Sequence, residues 1–261
     1  MAPMRFRVLT FVTDFAEYEE MRGSFASAGF TPGVAQFQVV DNSRGNAYDP
    51  YSLLNSVLDS MPEFALVVCH QDVRLDLGAG YQDLVTCLST LDDGWGVAGP
   101  AGITDDYRQV LAIQDPWNAP RWQGEWPVSV QALDELLIVI RPGRAALSDG
   151  LSGFHFYGAD LCLAAKRLGF SASAVDFPLT HLSDGRRGQL SEGYRSGRRR
   201  FQAQVSRHYR FTLVVTSTGE AILLSRWPCL RYVADRPRVH ALLKRWLARR
   251  RPLAAISAGK G

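Results

Sequence analysis

Phe64-Ala65-Leu66-Val67-Val68-Cys69-His70-Gln71-Asp72 is the stretch on which the fold turns. Six apolar residues in a row, without the alternation of a half-exposed strand, predict a strand buried on both faces, as in a sheet covered by helices on either side. The run ends in a carboxylate. In open α/β sheets the carboxyl edge of the strands is where metals and phosphorylated ligands bind, so Asp72 is the first candidate site residue. Two downstream segments carry the same kinds of group: Phe154-His155-Phe156-Tyr157-Gly158-Ala159-Asp160, and Pro178-Leu179-Thr180-His181.

Working outward, Arg5 to Thr13 predicts a first strand, and Asp14 opens a helix whose Tyr18, Met21, Phe25 and Ala28 recur at helical spacing until Gly29. Ala35 to Val40 predicts a second strand ending at Asp41-Asn42-Ser43, and Tyr51, Leu54, Val57 and Leu58 mark a second helix. A helix over Tyr81–Leu91 and a strand at Trp95–Gly99 follow, so the first hundred residues read as repeated βα units on a mostly parallel sheet. Pro100 to Pro127, rich in Gly, Pro and Trp, reads as an inserted loop or hairpin. Leu133–Ile140 resumes as a strand, Asp160–Leu168 as a helix, and Ser171–Phe177 as another strand. Beyond His181, Asp184 to Arg200 reads as a Gly- and Arg-rich loop, followed by helices near Phe201–Tyr209 and Val239–Arg251.

The chain of 261 residues is 46% hydrophobic and 21% charged, which suits a globular α/β chain with a sizeable core. Its formal net charge of +3 conceals a division. Residues 1–183 carry 11 basic and 22 acidic residues, and residues 184–261 carry 18 and 4, giving −11 and +14. The expected organisation is a domain over 1–183 and a basic extension over 184–261, the latter suited to phosphate, anionic lipid or pairing with the acidic half. The four cysteines form no CxxC pair, which argues against a zinc ribbon or a disulfide framework and fits a reducing, cytoplasmic setting. The first residues read as a strand rather than a signal peptide, and no stretch is apolar enough to span a bilayer.

Taken in order, Val40-Asp41-Asn42-Ser43, His70-Gln71-Asp72-Val73, Leu133-Asp134-Glu135, Phe154 to Leu161, and His181 resemble glycosyltransferases of GT-A fold. The group that they resemble most is the bacterial family-2-like group that includes the StrF-type domain. The resemblance covers roughly residues 5–183. It implies a nucleotide-diphospho-sugar transferase fold, an inverting, metal-dependent sugar transfer, and a nucleotide-sugar donor with an acceptor that is a glycan, a lipid-linked sugar or a small molecule.

Several residue roles follow from that resemblance. Asp72 stands at the last acid of the DXD motif and, with His181, is implied as a ligand of manganese or magnesium, a mixed oxygen and nitrogen set that suits manganese. Asp41 and Asn42 are implied at the nucleoside, and Asp134 at donor or acceptor. Asp160 is the implied catalytic base, because an inverting transfer needs a carboxylate to take the acceptor's proton. Arg186 and Arg187 are implied at the diphosphate, which guanidinium groups bind in a bidentate way. The sequence departs from the family pattern where His70 and Gln71 replace acids, where Tyr157 and Gly158 stand at acidic positions, and where Glu135 replaces a small residue.

Each role has a plainer counterpart. Asp-Asn-Ser is good turn chemistry for Asp41, Asp72 and Asp160 are also suited to turns and helix caps, and His181 to a strand end. A catalytically impaired relative that binds a nucleotide sugar or a partner therefore stands beside the transferase. A nucleic-acid-binding role is not expected, since the arginine-rich final third carries no reading motif. The last helix sets Leu243, Trp246 and Leu247 beside Lys244, Arg245 and Arg249–Arg251, which makes peripheral membrane contact a further expectation.

Overall fold

The computed structural model describes residues 3–60, 62–115, 121–182 and 192–250. The elements run β1 (Phe6–Val12), α1 (Phe15–Ser27), β2 (Ala35–Asp41), α2 (Pro50–Ser60), β3 (Ala65–Cys69), β4 (Val73–Arg74), α3 (Tyr81–Ser89) and β5 (Trp95–Gly99). Next come β6 (Ala101–Thr104), β7 (Gln109–Gln114), β8 (Arg121–Gln123), β9 (Val128–Leu133), β10 (Leu137–Ile140), α4 (Tyr157–Arg167), β11 (Ser171–Ala174) and β12 (Leu179–His181). The chain finishes with α5 (Glu192–Val205), β13 (Thr212–Val215), β14 (Ala221–Leu224), α6 (Pro228–Ala234) and α7 (Pro237–Arg250).

The α/β class and the large central sheet flanked by helices are as the sequence predicts. Twelve strands form the sheet in the order β2-β1-β3-β10-β5-β11-β9-β6-β7-β12-β4, with β8 beside β7. Its pairing is mixed. Parallel pairs are confined to β1 with β2 and β3, β5 with β11, and β7 with β12, while β10 runs antiparallel between β3 and β5. Of the loop or hairpin expected from Pro100 onward the structure has the hairpin, since β6 and β7 pair antiparallel inside the sheet. The single strand expected over 133–140 is two strands, β9 and β10, with a turn at Asp134–Leu136 between them.

Helices cover both faces of the first strands, which explains the unbroken apolar run of β3. Ala65, Val67 and Cys69 face one core with Tyr18, Met21 and Phe25 of α1 and Leu84 and Leu88 of α3. Leu66 and Val68 face the other, with Leu54, Val57 and Leu58 of α2 and Leu161 and Cys162 of α4. Side chains alternate along a strand, so a strand buried on both sides needs apolar residues at every position.

The segment after residue 192 packs on α4. Phe156, Ala159 and Leu163 meet Tyr194, Phe201 and Val205 of α5 and Val214, Ile222 and Leu224 of the β13–β14 hairpin in a third apolar cluster. Helix α5 begins inside the stretch expected to be a loop, and the hairpin was not anticipated. Its strands are four residues each, too short for a period-2 pattern to stand out. Among the described residues no helix is long and apolar enough to cross a membrane.

Candidate active site

The chain passes from β1 to β2 on one side and then to β3 on the other, so the sheet order reverses about β1. A crevice opens at the carboxyl ends of strands where the order reverses in this way. Here it is a cleft of about 470 Å³ lined by Phe11 and Thr13 from β1, Asn42 after β2, Val68 to Asp72 from β3, and Glu135, Phe154, His155 and Tyr157. The rings of Phe11 and Phe154 meet edge to face at 5.7 Å.

Gln71 fastens this edge. Its carbonyl oxygen accepts hydrogen bonds from the Thr13 and Asp14 amides at 2.8 and 3.1 Å, while its amide donates to the Thr13 hydroxyl and to Glu17 at 3.1 and 2.7 Å. A carboxylate could accept the first two but would repel Glu17, so a side chain with both a donor and an acceptor stands where the family pattern has an acid. Nearby, the buried Arg74 guanidinium donates to the Gln71 and Val73 carbonyls and to Glu20, which fixes the backbone on either side of Asp72.

Strand β12 lies between β4 and β7, and that pairing brings three side chains from distant parts of the sequence together. His181 is in register with Val73, and its Nε2 lies 3.1 Å from Asp72 while its Nδ1 lies 3.2 Å from Asp115. Burial opposes a charge on the imidazole, but the two carboxylates outweigh it and hold its pKa above the usual histidine range. Asp72 mirrors this: burial opposes its charge, and His181 and His70 prevail and lower its pKa. His70, with its ring 46% exposed, sits with Nδ1 3.7 Å from Asp72.

One donor atom each from His70, Asp72 and His181 can be chosen so that all lie within 4.8 Å of one another. Two imidazoles and a carboxylate make a mixed nitrogen and oxygen donor set, which a first-row divalent ion accepts more readily than magnesium does. The Asp115 contact completes a carboxylate–histidine arrangement that sets the ring's orientation and turns Nε2 toward Asp72. The donor set therefore fits a divalent cation. Asp115 was missed in the sequence reading because it stands at the end of β7, inside the segment read as an insertion.

The other expected residues are dispersed. Asn42 lines the cleft but spends its side chain on the Tyr48 backbone, donating to the carbonyl at 2.8 Å and accepting from the amide at 3.1 Å. Asp41 is exposed and closes an Asx turn on Ser43, whose hydroxyl and amide hydrogen bonds lower its pKa. Asp134 accepts the Leu136 amide in the β9–β10 turn and is not among the residues lining the cleft. Arg186 and Arg187 lie outside the described residues.

Asp160 is placed differently from its expected role as base. Helix α4 starts at Tyr157, so Asp160 is one turn inside it, fully buried. Both of its oxygens are taken by Ser148, whose amide and hydroxyl donate at 2.7 and 2.8 Å. Burial raises its pKa although those hydrogen bonds pull the other way. Its carboxylate anchors the 145–153 loop to α4 and does not line the cleft.

Besides Asp72, the carboxyl group that lines the cleft is that of Glu135. From the β9–β10 turn its side chain reaches the start of α4, where Oε1 accepts the Gly158 amide at 3.2 Å. Burial drives its pKa up to about 8, against the lowering effect of the α4 backbone amides. Gly158 permits this close approach, since a Cβ there would lie 2.4 Å from the Leu133 carbonyl oxygen and 3.2 Å from Cγ of Glu135. Phe156, just before α4, takes a left-handed conformation with φ of 72°, unusual for a residue with a side chain. Its ring stacks on Phe201 at 5.4 Å, while its neighbours His155 and Tyr157 line the cleft. The sequence signal for Glu135 was its departure from the small residue of the family pattern.

No family model matches the sequence. A protein of Fuscovulum blasticum described as ATP synthase subunits region ORF 6 is 33% identical over 236 residues, which cover 86% of this chain and 92% of that protein. The chain belongs to the same family. The description of this ORF 6 family names a gene region and no chemistry.

Solved structures with a likeness to the chain include the mannosyltransferase PcManGT of Pyrobaculum calidifontis in complex with GDP-Man and Mn2+, at 12% identity and a TM-score of 0.48 over 80% of this chain. The alignment covers 64% of that mannosyltransferase chain. Others are A197 from STIV, at 10% identity and 0.43 over 86% of this chain and 96% of that one, and S. aureus TarS 1-349, at 12% and 0.43 over 80% and 73%. At these scores the likeness carries none of the functional reading, which rests on the residues of the site.

Proposed function

We propose that this ORF 6 family member transfers a sugar from a nucleotide-diphosphate donor to a hydroxyl-bearing acceptor, with inversion at the sugar carbon. The observation that carries the reading is the convergence of His70, Asp72 and His181 at the carboxyl edge of β3, beside a cleft at the point where the strand order reverses. Asp72 and His181 would hold a divalent cation, manganese or magnesium, with His70 as a third donor. Such a cation acts as a Lewis acid for the charge that develops on a departing diphosphate.

The chain's own groups account for the rest. Phe11 and Phe154 offer aromatic surface for the nucleoside in a cleft that Asn42 also lines, and Asp41, next to Asn42 in sequence, remains a proposed nucleoside contact. Asp134 shapes the turn that carries Glu135, and Arg186 and Arg187 remain proposed contacts of the diphosphate. Glu135 replaces Asp160 as the proposed base. As the acceptor oxygen bonds to the sugar carbon and the bond from that carbon to the diphosphate oxygen breaks, the hydroxyl proton passes to the Glu135 carboxylate. A carboxylate with a pKa near 8 is well matched to that task near neutral pH. In this reading residues 1–183 carry the donor site and residues 184–261 the extension.

A second reading has one observation in its favour: His181 is already satisfied by Asp72 and Asp115. The triad could then be a structural ion network in a relative that binds a nucleotide sugar without turning it over.

Calorimetric titration of the full chain with UDP and with GDP, with and without manganese, tests the proposal. Metal-dependent binding of one nucleotide, lost in Asp72→Ala and His181→Ala, is the expected result. Binding of no nucleoside diphosphate, dTDP included, would overturn it. Binding without slow donor hydrolysis in manganese would favour the second reading.

A further inference from the structure

Seven of the twelve large hydrophobic residues exposed among the described residues fall between Phe211 and Trp246, in the β13 edge and helices α6 and α7. They are not scattered. Phe211, Leu230, Val233 and Leu242, which are 65%, 37%, 52% and 62% exposed, stand around one opening. Behind it lies a mainly apolar cavity of about 940 Å³, the largest of the described cavities, lined by Leu163 of α4 and Val214 and Leu223 of the hairpin among others. Its polar border includes the ion pair of Lys166 with Asp105. A contiguous apolar opening of this kind marks a binding surface rather than ordinary exposure.

The charge around the opening says what kind. Arg210, Arg238 and Arg245 adjoin the lining residues Phe211, Val239 and Trp246 in sequence, all three and Arg226 are exposed, and among the described residues none of the four forms an ion pair with a carboxylate. The two acidic residues between Arg207 and Arg250 both meet Arg198, which reaches Glu220 at 3.0 Å and Asp235 at 2.8 Å, and Glu220 also lies 3.6 Å from His240. Arg226 and Arg236 lie over the rings of Trp227 and Tyr232 at 5.0 and 4.6 Å, which places aromatic rings and guanidinium groups together along α6. Leu247 is buried against Ile103, Val215 and Ala221, so α7 is docked while its opposite side faces out.

We propose that this surface is a binding site for an anionic phospholipid bilayer, with α6 and α7 lying at the interface, acyl chains entering the cavity and lipid phosphates meeting the arginines. A bilayer supplies apolar chains and negative headgroups side by side, which is the pairing this surface presents. Trp and Tyr flanked by Arg are the side chains that settle at headgroup depth. A second copy of the chain would set arginines against arginines across a two-fold contact, which disfavours self-association here. The proposal stands independently of sugar transfer, because none of these residues lines the cleft.

Vesicle flotation of the full chain tests it. The protein is expected to float with phosphatidylglycerol-containing vesicles, to bind phosphatidylcholine vesicles more than about tenfold less, and to be released by high salt. Val233→Asp with Leu242→Asp, and separately Arg238→Glu with Arg245→Glu, should each lower flotation by more than about tenfold at an unchanged melting temperature. If the aspartate pair lowers the melting temperature, Val233→Ser with Leu242→Ser takes its place. Failure of the unmodified chain to float, or flotation of both variants at its level, would overturn the proposal. So would a stable dimer in sedimentation that the Val233 and Leu242 changes dissolve, since that would assign the surface to a second copy.

Discussion

Replacing Glu135 by Gln should make the protein more stable and, if Glu135 is the base, less active, and the pH dependence of the first effect can be worked out. Glu135 has a folded pKa of about 8 against an ordinary value of 4.5, so the cost lies in ionising it. Below pH 4.5 the group is protonated whether the chain is folded or not, and no penalty exists. Between 4.5 and 8 the unfolded chain loses the proton while the folded one keeps it, so stability falls with rising pH by up to about 1.4 kcal/mol per unit. Above 8 the loss is complete, at about 5 kcal/mol as a ceiling, and about 3 once the residual solvent contact of a side chain on a cleft is allowed for. Glutamine imitates the protonated carboxyl and can still accept the Gly158 amide, so the variant escapes this loss.

Urea unfolding of both proteins from pH 5 to 9 reads the difference directly. The two should be of similar stability near pH 5 and diverge steadily toward pH 8.5, with the variant higher. Parallel curves across that range would refute the argument, since they would mean that Glu135 ionises as an ordinary carboxyl group. Activity gives a second reading of the same proton. A rate that climbs toward pH 8 in the unmodified protein, and falls by about a hundredfold or more in Glu135→Gln, is the signature of a base with this pKa.

Three further outcomes follow from contacts already described. Asp115→Asn should weaken manganese binding by about 10- to 100-fold while leaving the metal ligands in place, measured by titration of the full chain; unchanged affinity would show that the carboxylate does not orient His181. Asp160→Ala removes the acceptor for both the Ser148 amide and hydroxyl, and should cost about 2–4 kcal/mol in chemical unfolding while nucleotide affinity stays within about threefold. A selective loss of activity at unchanged stability would restore Asp160 as a candidate base. Gly158→Ala should cost about 1–3 kcal/mol, because the added carbon meets a backbone carbonyl with little room to move; a neutral result in thermal unfolding would show that α4 slides freely over the β9–β10 turn.

What could be read from the sequence followed from local pattern. The runs at Arg5–Thr13 and Phe64–Cys69 gave β1 and β3 because strands buried on both faces must be apolar throughout, and the spacing of Tyr18, Met21 and Phe25 gave α1. Asp72 and His181 were legible as acid and imidazole at strand ends, although nothing in the sequence brings them to 3.1 Å; that depends on β12 entering between β4 and β7. Strand direction was hidden for the same reason, since β10 carries the same apolar run whether it pairs parallel or antiparallel. Asp160 looked like a helix-start residue because it precedes Leu161 and Leu163, but α4 begins three residues earlier behind a left-handed Phe156, and no propensity rule anticipates such a start. Glu135 drew notice only as an anomaly, and its importance comes from the turn and helix end that surround it.

The placement of β12 also bears on the order of events as the chain emerges and folds. Its neighbours β4 and β7 are both made long before residue 179, yet until β12 threads between them Asp72 faces neither His181 nor, through it, Asp115. Contacts that span so much sequence close late, after the local βα units around β1 and β3 have formed. The meeting of His70, Asp72 and His181 therefore coincides with completion of the sheet. A partly folded chain in which β12 has yet to enter holds the cleft beside β3 without His181 at Asp72.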